Sequence, residues 1–265
     1  MSTSKQKQFT LHGAHDRVGV GSRGFEPTDS GPEPYEILHF RMPVPEIAIP
    51  EPQAVRVEIL TDCRCNELEL AARRFGLHLY DTYGLPARKP LDVNQTAEEM
   101  ESGEVSDADL LVILGCGFQV GEEMRKAVVS HCDRGRPVVF FGADGDIVSG
   151  GCEWTRDILG VVSRPLSVED EMMWVRPAGP GGRHPLVQSL APFRAKCCQS
   201  FFEPVGQAAV PLLFGISGIS AVPVAWVHQY RSARVFHTAL GRADDFDVPE
   251  CLQLMTDAVL WALDD

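Results

Sequence analysis

Asp109-Leu-Leu-Val-Ile-Leu114, then Val120 to Asp133, then Pro137-Val-Val-Phe-Phe141 is the stretch on which the fold turns. Two short runs of apolar residues flank a segment in which Val120, Met124, Ala127, Val128 and His131 recur at helical spacing, with Gly135 and Pro137 punctuating its end. Apolar runs without polar alternation mark strands covered on both faces, and a helix between two such runs joins parallel neighbours. The unit predicts strand, helix, strand in a parallel sheet.

Working outward, Val55-Arg-Val-Glu-Ile-Leu60 reads as a first strand, Asn66 to Phe75 as a helix stopped by Gly76, and Leu77 to Tyr80 as a second strand. After the turn Gly142-Ala-Asp-Gly145 a helix is expected from about Cys152 to Leu159. The rhythm then changes to consecutive strand candidates at Met172 to Arg176, Cys198 to Glu203, Ala209 to Phe214, Val222 to Tyr230 and Arg234 to Leu240. A final helix is predicted with Asp247 as N-cap, Pro249 in its first turn and Glu250 completing a capping box. The fold class is α/β: a doubly wound, mostly parallel sheet flanked by helices, flavodoxin-like, with antiparallel strands added in the C-terminal half.

Residues 1–54 differ from the rest. They hold seven prolines and five glycines, with Tyr35-Glu-Ile-Leu-His-Phe-Arg41 as the one patterned segment. The proline spacing favours extended backbone, so this segment is read either as an arm that wraps residues 55–265 or a neighbouring subunit, the latter giving a homodimer, or as partly disordered chain.

A chain of 265 residues with 44% hydrophobic and 23% charged side chains supports one generous core. Its net charge of −13, with no basic block, argues against nucleic acid and anionic membrane as partners. No apolar run follows the N-terminal lysines, and eight cysteines are too sparse for a disulfide scaffold, so a cytoplasmic compartment is expected. The uncharged stretch 204–227 is interrupted by prolines and glycines and is read as two buried strands around a Gly/Ser loop, not as a membrane span.

Pro223-Val-Ala-Trp226, Arg234-Val-Phe-His-Thr-Ala-Leu-Gly241 and Leu260-Trp-Ala-Leu263, with His184-Pro-Leu-Val-Gln-Ser-Leu190 and Asp157-Ile-Leu-Gly160, resemble segments of the trehalose-utilisation A (ThuA)-like proteins. These belong to the class I glutamine-amidotransferase-like superfamily. The resemblance spans roughly residues 55–263 and is densest near the C-terminus. It implies a doubly wound sheet with a pocket at the carboxyl ends of its strands, in proteins often of bacterial sugar catabolism. Two departures stand out. The family's Gly-x-His-x after the fourth strand is here Gly142-Ala143-Asp144, and the histidine ending its Thr-Ala-Leu-Gly-His phrase is here Arg242. A Gly-x-Cys-x-Gly nucleophile elbow is also missing from the expected turn, which excludes glutamine amidotransfer.

Parallel strands deliver their following loops to one edge. There the sequence brings Asp62-Cys63-Arg64-Cys65, Gly115-Cys116-Gly117 and Gly142-Ala143-Asp144-Gly145-Asp146. Asp144 is the candidate acid or base and Cys116 the candidate thiol nucleophile; Arg242, His237, Cys63 and Asp62 are the candidate substrate contacts. Carboxylate and guanidinium across one cleft suit a hydroxyl-rich or carboxylated small molecule, such as a sugar derivative. A C-x-C pair without a partner pair is a poor metal signature, and no metal or cofactor is assigned. Three readings stay open: a sugar-related ligand-binding protein or enzyme; a non-catalytic assembly protein; and a thiol-dependent hydrolase or isomerase using Cys63, Cys65 or Cys116. The tryptophans 174, 226 and 261 are placed in the core before the site, because each sits in an apolar pattern.

Overall fold

The computed structural model describes residues 54–62, 66–84, 91–98, 107–115, 121–142, 154–164, 172–177, 179–196, 201–204 and 209–264. The elements run β1 (Val55–Asp62), α1 (Asn66–Gly84), β2 (Leu91–Glu98), β3 (Leu110–Leu114), α2 (Glu122–Asp133), β4 (Val138–Phe141), β5 (Val161–Arg164) and β6 (Met172–Pro177). They continue as β7 (Phe193–Lys196), β8 (Phe201–Pro204), β9 (Val210–Ser217), β10 (Ser220–Tyr230), β11 (Ala233–Thr238) and α3 (Pro249–Leu263). Among these residues one mixed sheet has nine strands in the order β2-β1-β3-β4-β11-β10-β9-β6-β7, and β5 pairs with β8 in a separate ribbon. The first five strands of that order are parallel and the remaining pairings antiparallel. The expected change of rhythm is therefore present, and it falls at β11.

Alternation along each strand divides the core in two. Val57, Ile59, Val112, Val139, Phe141 and Phe236 face α1 and α3; Leu60, Leu111, Ile113, Val138, Phe140 and Val235 face α2, Trp154 and Val161. A sheet buried on both sides needs apolar residues at consecutive positions, which is why β3 and β4 read as unbroken runs. The stretch 204–227 contributes the β9–β10 hairpin, turning at Gly218 and Ile219, and no helix among the described residues is long and apolar enough to cross a membrane.

Three expectations are corrected. First, α1 runs through Gly76, and residues 77–80 are helix, not strand. Leu68, Ala71, Ala72, Phe75 and Leu79 keep a 3.6-residue stripe into the core, and that burial outweighs the roughly 1 kcal/mol cost of one helical glycine. The second parallel strand is instead β2, an edge strand whose sequence Leu-Asp-Val-Asn-Gln-Thr-Ala-Glu carries little apolar signal. Second, within the helix expected at 152–159 the described residues form a single π-helical turn, Trp154–Ile158, with 152 and 153 outside them; the strand expected at 198–203 is present as β8 from Phe201, with 198–200 outside the described residues. Third, α3 is preceded by Val248, with no side-chain cap; Asp247 instead ion-pairs with Arg74 of α1 at 3.0 Å.

Leu77 and Leu79 separate helix from strand directly, since residues two apart share a face in a strand but not in a helix. Leu77 is 42% exposed and Leu79 is fully buried. Leu79→Ala should cost about 2–4 kcal/mol in urea unfolding and Leu77→Ala under about 0.5 kcal/mol; equal losses would refute the helix.

Candidate functional site

The carboxyl ends of β3, β4 and β11 meet at three glycines. Gly115 N–H donates to Phe141 O at 3.0 Å, and Gly142 N–H is shared between Leu240 O at 2.6 Å and Thr238 O at 3.1 Å. Gly142 lies at φ +71° and Gly241 at φ +142°, where side chains are strained. Contact also forbids a side chain: a Cβ on Gly142 would stand 2.9 Å from Gly115 O, and one on Gly241 would overlap Gly142 N and Phe141 C. Three chain segments thus leave the sheet from one spot, as the parallel topology requires.

Arg242 follows directly on this junction and is partly exposed. Its placement depends on Asp245, a nearly buried carboxylate whose Oδ2 accepts from Gly241 N–H at 2.8 Å and from Arg242 N–H at 3.0 Å, while Asp245 N–H returns to Arg242 O at 2.9 Å. Burial pushes the Asp245 carboxyl above the usual range, against the two amides and Arg242, which favour its charge. Asp245 is not among the candidate site residues drawn from the sequence. An acid three residues after the turn it closes was the available signal. A second residue passed over is Thr61, fully buried at the end of β1 in register with Leu114; its hydroxyl has no hydrogen-bond partner among the described residues.

His237 lies elsewhere than expected. It has no exposed surface, stacks on Trp226 with ring centroids 4.1 Å apart and 17° between planes, and sits 6.0 Å from the Phe140 ring. Residue 237 points to the α2 face because it shares a side of β11 with Val235, so in this structure it is a core side chain; a ligand would reach it only if the Trp226 stack opened. Trp226 is in the core as expected, its indole N–H donating to Leu159 O at 3.0 Å. Trp174 is not: it is 55% exposed, alternating with the buried Met173 and Val175 on β6.

Asp62 ends β1 at the same edge as the junction, beside Glu98 of β2, and only its backbone is described. Cys63, Cys65, Cys116, Asp144 and Asp146 lie outside the described residues. Among the described residues no group of three metal-ligating side chains occurs. Cys132 and Cys251 are buried and outside any disulfide, and burial pushes the Cys132 thiol up to about 12, so Cys132 offers no thiolate at neutral pH.

At the opposite edge of the sheet Pro185, Leu186, Ser189, Gln253, Asp257 and Trp261 are among the residues lining an open groove. His184 meets the Trp261 ring edge-on at 5.8 Å, and Arg234 Nη1 donates to Trp261 O at 2.6 Å with its guanidinium 5.5 Å from that ring.

No family model matches the chain, and no curated protein matches its sequence. Solved structures do match. A protein of Bacteroides uniformis described as ThuA-like is similar with a TM-score of 0.59 and 13% identity, over 80% of this chain and 93% of its own. One of Parabacteroides merdae, also described as ThuA-like, gives 0.51 and 16% over 79% and 90%, and a cytoplasmic protein of Salmonella typhimurium gives 0.51 and 9% over 78% and 97%. At these identities the likeness establishes the fold: this chain is folded as the ThuA-like proteins are.

Two measurements follow from the geometry. Asp245→Ala leaves two amides without their acceptor and should destabilise by about 2–4 kcal/mol in urea unfolding; a loss below about 0.5 kcal/mol would show that Asp245 does not hold this turn. The histidines set an acid limit. Burial lowers His131 to about 4 and His237 to about 3, below the ordinary 6.5, so the unfolded chain takes up their protons first. Their contribution is complete above about pH 6.5 and drains away as pH falls toward 4, on the order of a few kcal/mol. His237→Phe, which keeps an aromatic ring against Trp226, should flatten that decline in unfolding midpoint between pH 6.5 and 4; an unchanged slope would assign the acid sensitivity elsewhere.

Proposed function

We propose that the chain is a ThuA-like domain protein that binds a small sugar-related molecule at the carboxyl edge of its parallel strands. The observation that carries this reading is the glycine junction, where backbone from β3, β4 and β11 packs closely together beside Arg242. Arg242 supplies a fixed donor fork suited to a carboxylate or to vicinal hydroxyls, and Thr61 a buried hydroxyl with capacity to spare. Asp144 follows Gly142 by two residues and is proposed as acid or base; Cys116 follows Gly115 and is the nucleophile if the chemistry is thiol-dependent. Asp62 and Cys63 follow β1 and are proposed to complete the rim. In this proposal the fold is the doubly wound glutamine-amidotransferase-like one, and the protein works in the cytoplasm, in bacterial carbohydrate metabolism, with no resident metal.

A second reading is non-catalytic binding or assembly, including an arm-mediated homodimer. It is favoured by one observation. The histidine nearest the edge, His237, is closed into the core, and the two positions where the family places histidines hold Ala143-Asp144 and Arg242.

Thermal unfolding of the full chain with aldoses, keto-sugars, sugar acids and divalent cations separates these. A saturating ligand is expected to raise Tm by several degrees, and Arg242→Ala and Asp144→Ala should each remove that shift while leaving the unliganded Tm within about 2 °C. No shift with any compound in the folded protein would overturn the ligand-binding reading.

A further inference from the structure

The four antiparallel strands β7, β6, β9 and β10 contain no aspartate or glutamate, in a chain that has 37 of them. One face of β7 and β6 is apolar and buried, through Phe193, Ala195, Met173 and Val175. The other carries Met172, Trp174, Arg176, Arg194 and Lys196, all exposed, with partly exposed Ile216 beside them on β9. Register makes this one surface. Met172 pairs with Lys196, and Trp174 lies between Arg194 and Ile216. The Arg194 guanidinium stands 5.9 Å from the Trp174 ring centroid. Charges on an edge strand such as β7 deter sheet-to-sheet aggregation, which accounts for Arg194 and Lys196. It does not account for an exposed tryptophan and methionine one strand further in.

The chain contains a segment with the complementary composition. Residues 26–51 include Glu26, Asp29, Glu33, Glu36, Glu46 and Glu51, with Arg41 as their one strong cation. Seven prolines between 27 and 52 bias that backbone to extended, polyproline-like geometry, which docks on surfaces of aromatic rings with flanking cations. Reach is sufficient. Ala54 precedes β1, six strands from β6, about 29 Å at 4.8 Å per strand. About ten extended residues cover that distance, which leaves residues 26–43 able to lie on the face. Tethering also supplies a high effective concentration, so weak contacts suffice.

We propose that residues 26–43 of the same chain dock on the basic, tryptophan-bearing face of β6 and β7, with acidic side chains against Arg176, Arg194 and Lys196 and the Tyr35–Arg41 segment against Trp174. The docking is independent of the ligand site, which lies at the carboxyl edge of the parallel strands.

Site-specific photocrosslinking tests this in the full chain. Trp174 is replaced by p-benzoylphenylalanine in an equal mixture of light and isotopically heavy protein; Leu70, 56% exposed on α1, serves as the control position. After irradiation and trypsin digestion, the expected crosslink from position 174 is to the peptide Gly24–Arg41, with both halves carrying the same label, and at least three-fold above position 70. The double variant Glu33→Lys/Glu36→Lys, scored as the summed crosslinks to the peptides 24–36 and 37–41 that trypsin then yields, should cut that yield three-fold or more with an unchanged urea midpoint. Crosslinks to residues 165–171, crosslinks joining light to heavy chains, yields equal to the control, or indifference to the charge reversal would each overturn the proposal.

Discussion

The shared hydrogen bond of Gly142 is the constraint on which the architecture depends. Its amide reaches two carbonyls of the segment leaving β11, and that contact holds the last parallel strand against β4 at the level where both chains turn away. β11 has parallel partnership with β4 on one side and antiparallel partnership with β10 on the other. A Cβ at either Gly142 or Gly241 would force the two segments apart just beyond the β4–β11 ladder.

Burial explains why polar residues near this edge have unequal chemistry. A histidine on β11 had two sides available, and the pleat gave residue 237 the side of Trp226 and Phe140, where its ring contributes stacking and stays neutral. Thr238, one residue on, turns to the other side and spends its hydroxyl on Val224 O and Leu240 N. The carboxylate of Asp245 is consumed in the same way by two amides. Among the described polar groups near this edge, the Thr61 hydroxyl is buried with no hydrogen-bond partner, and Arg242 is partly exposed.

Legibility in the sequence followed how strongly one physical signal dominated each segment. β3, α2 and β4 were readable because full burial writes itself as continuous apolar runs and a clean 3.6-residue stripe. Residues 77–80 were misread because Gly76 and a short apolar cluster imitate a strand, while the evidence for helix, the stripe from Leu68 to Leu79, is visible only over three turns. β2 was missed because an edge strand needs few apolar residues. Trp174 was placed in the core because its neighbours are apolar; alternation decides its side, and alternation cannot name which face is covered. Of the candidate site, the convergence at the sheet edge and the place of Arg242 were legible. The burial of His237 and the work of Asp245 were not, since both depend on which side of a strand or turn faces the packed layer.

The segments that carry the ThuA-like resemblance do structural work, and one of them ends in Gly241 at the glycine junction itself. Pro223–Trp226 and Arg234–Gly241 are knitted to each other by Thr238 Oγ1 and Ala239 N–H donating to Val224 O. His184, Arg234 and Trp261 lock the end of α3 to the amino end of β11, at the edge opposite the glycine junction. Selection for a stable sheet is enough to keep such words in place, whatever reaction the other edge performs. The resemblance in these words therefore reports the fold, and agreement in fold with ThuA-like structures at 13–16% identity is the level of likeness they should produce. The residues proposed to decide the chemistry follow β1, β3 and β4 in sequence or stand at Arg242, and at Ala143-Asp144 and Arg242 this chain departs from the resembling pattern. A change from histidine to arginine there replaces a group that can exchange protons near neutrality with a permanent cation, so position 242 can anchor an anion or polarise an oxygen but cannot serve as acid or base. If the site is catalytic, its proton transfers must fall to another group, and Asp144 is the one the sequence places after β4.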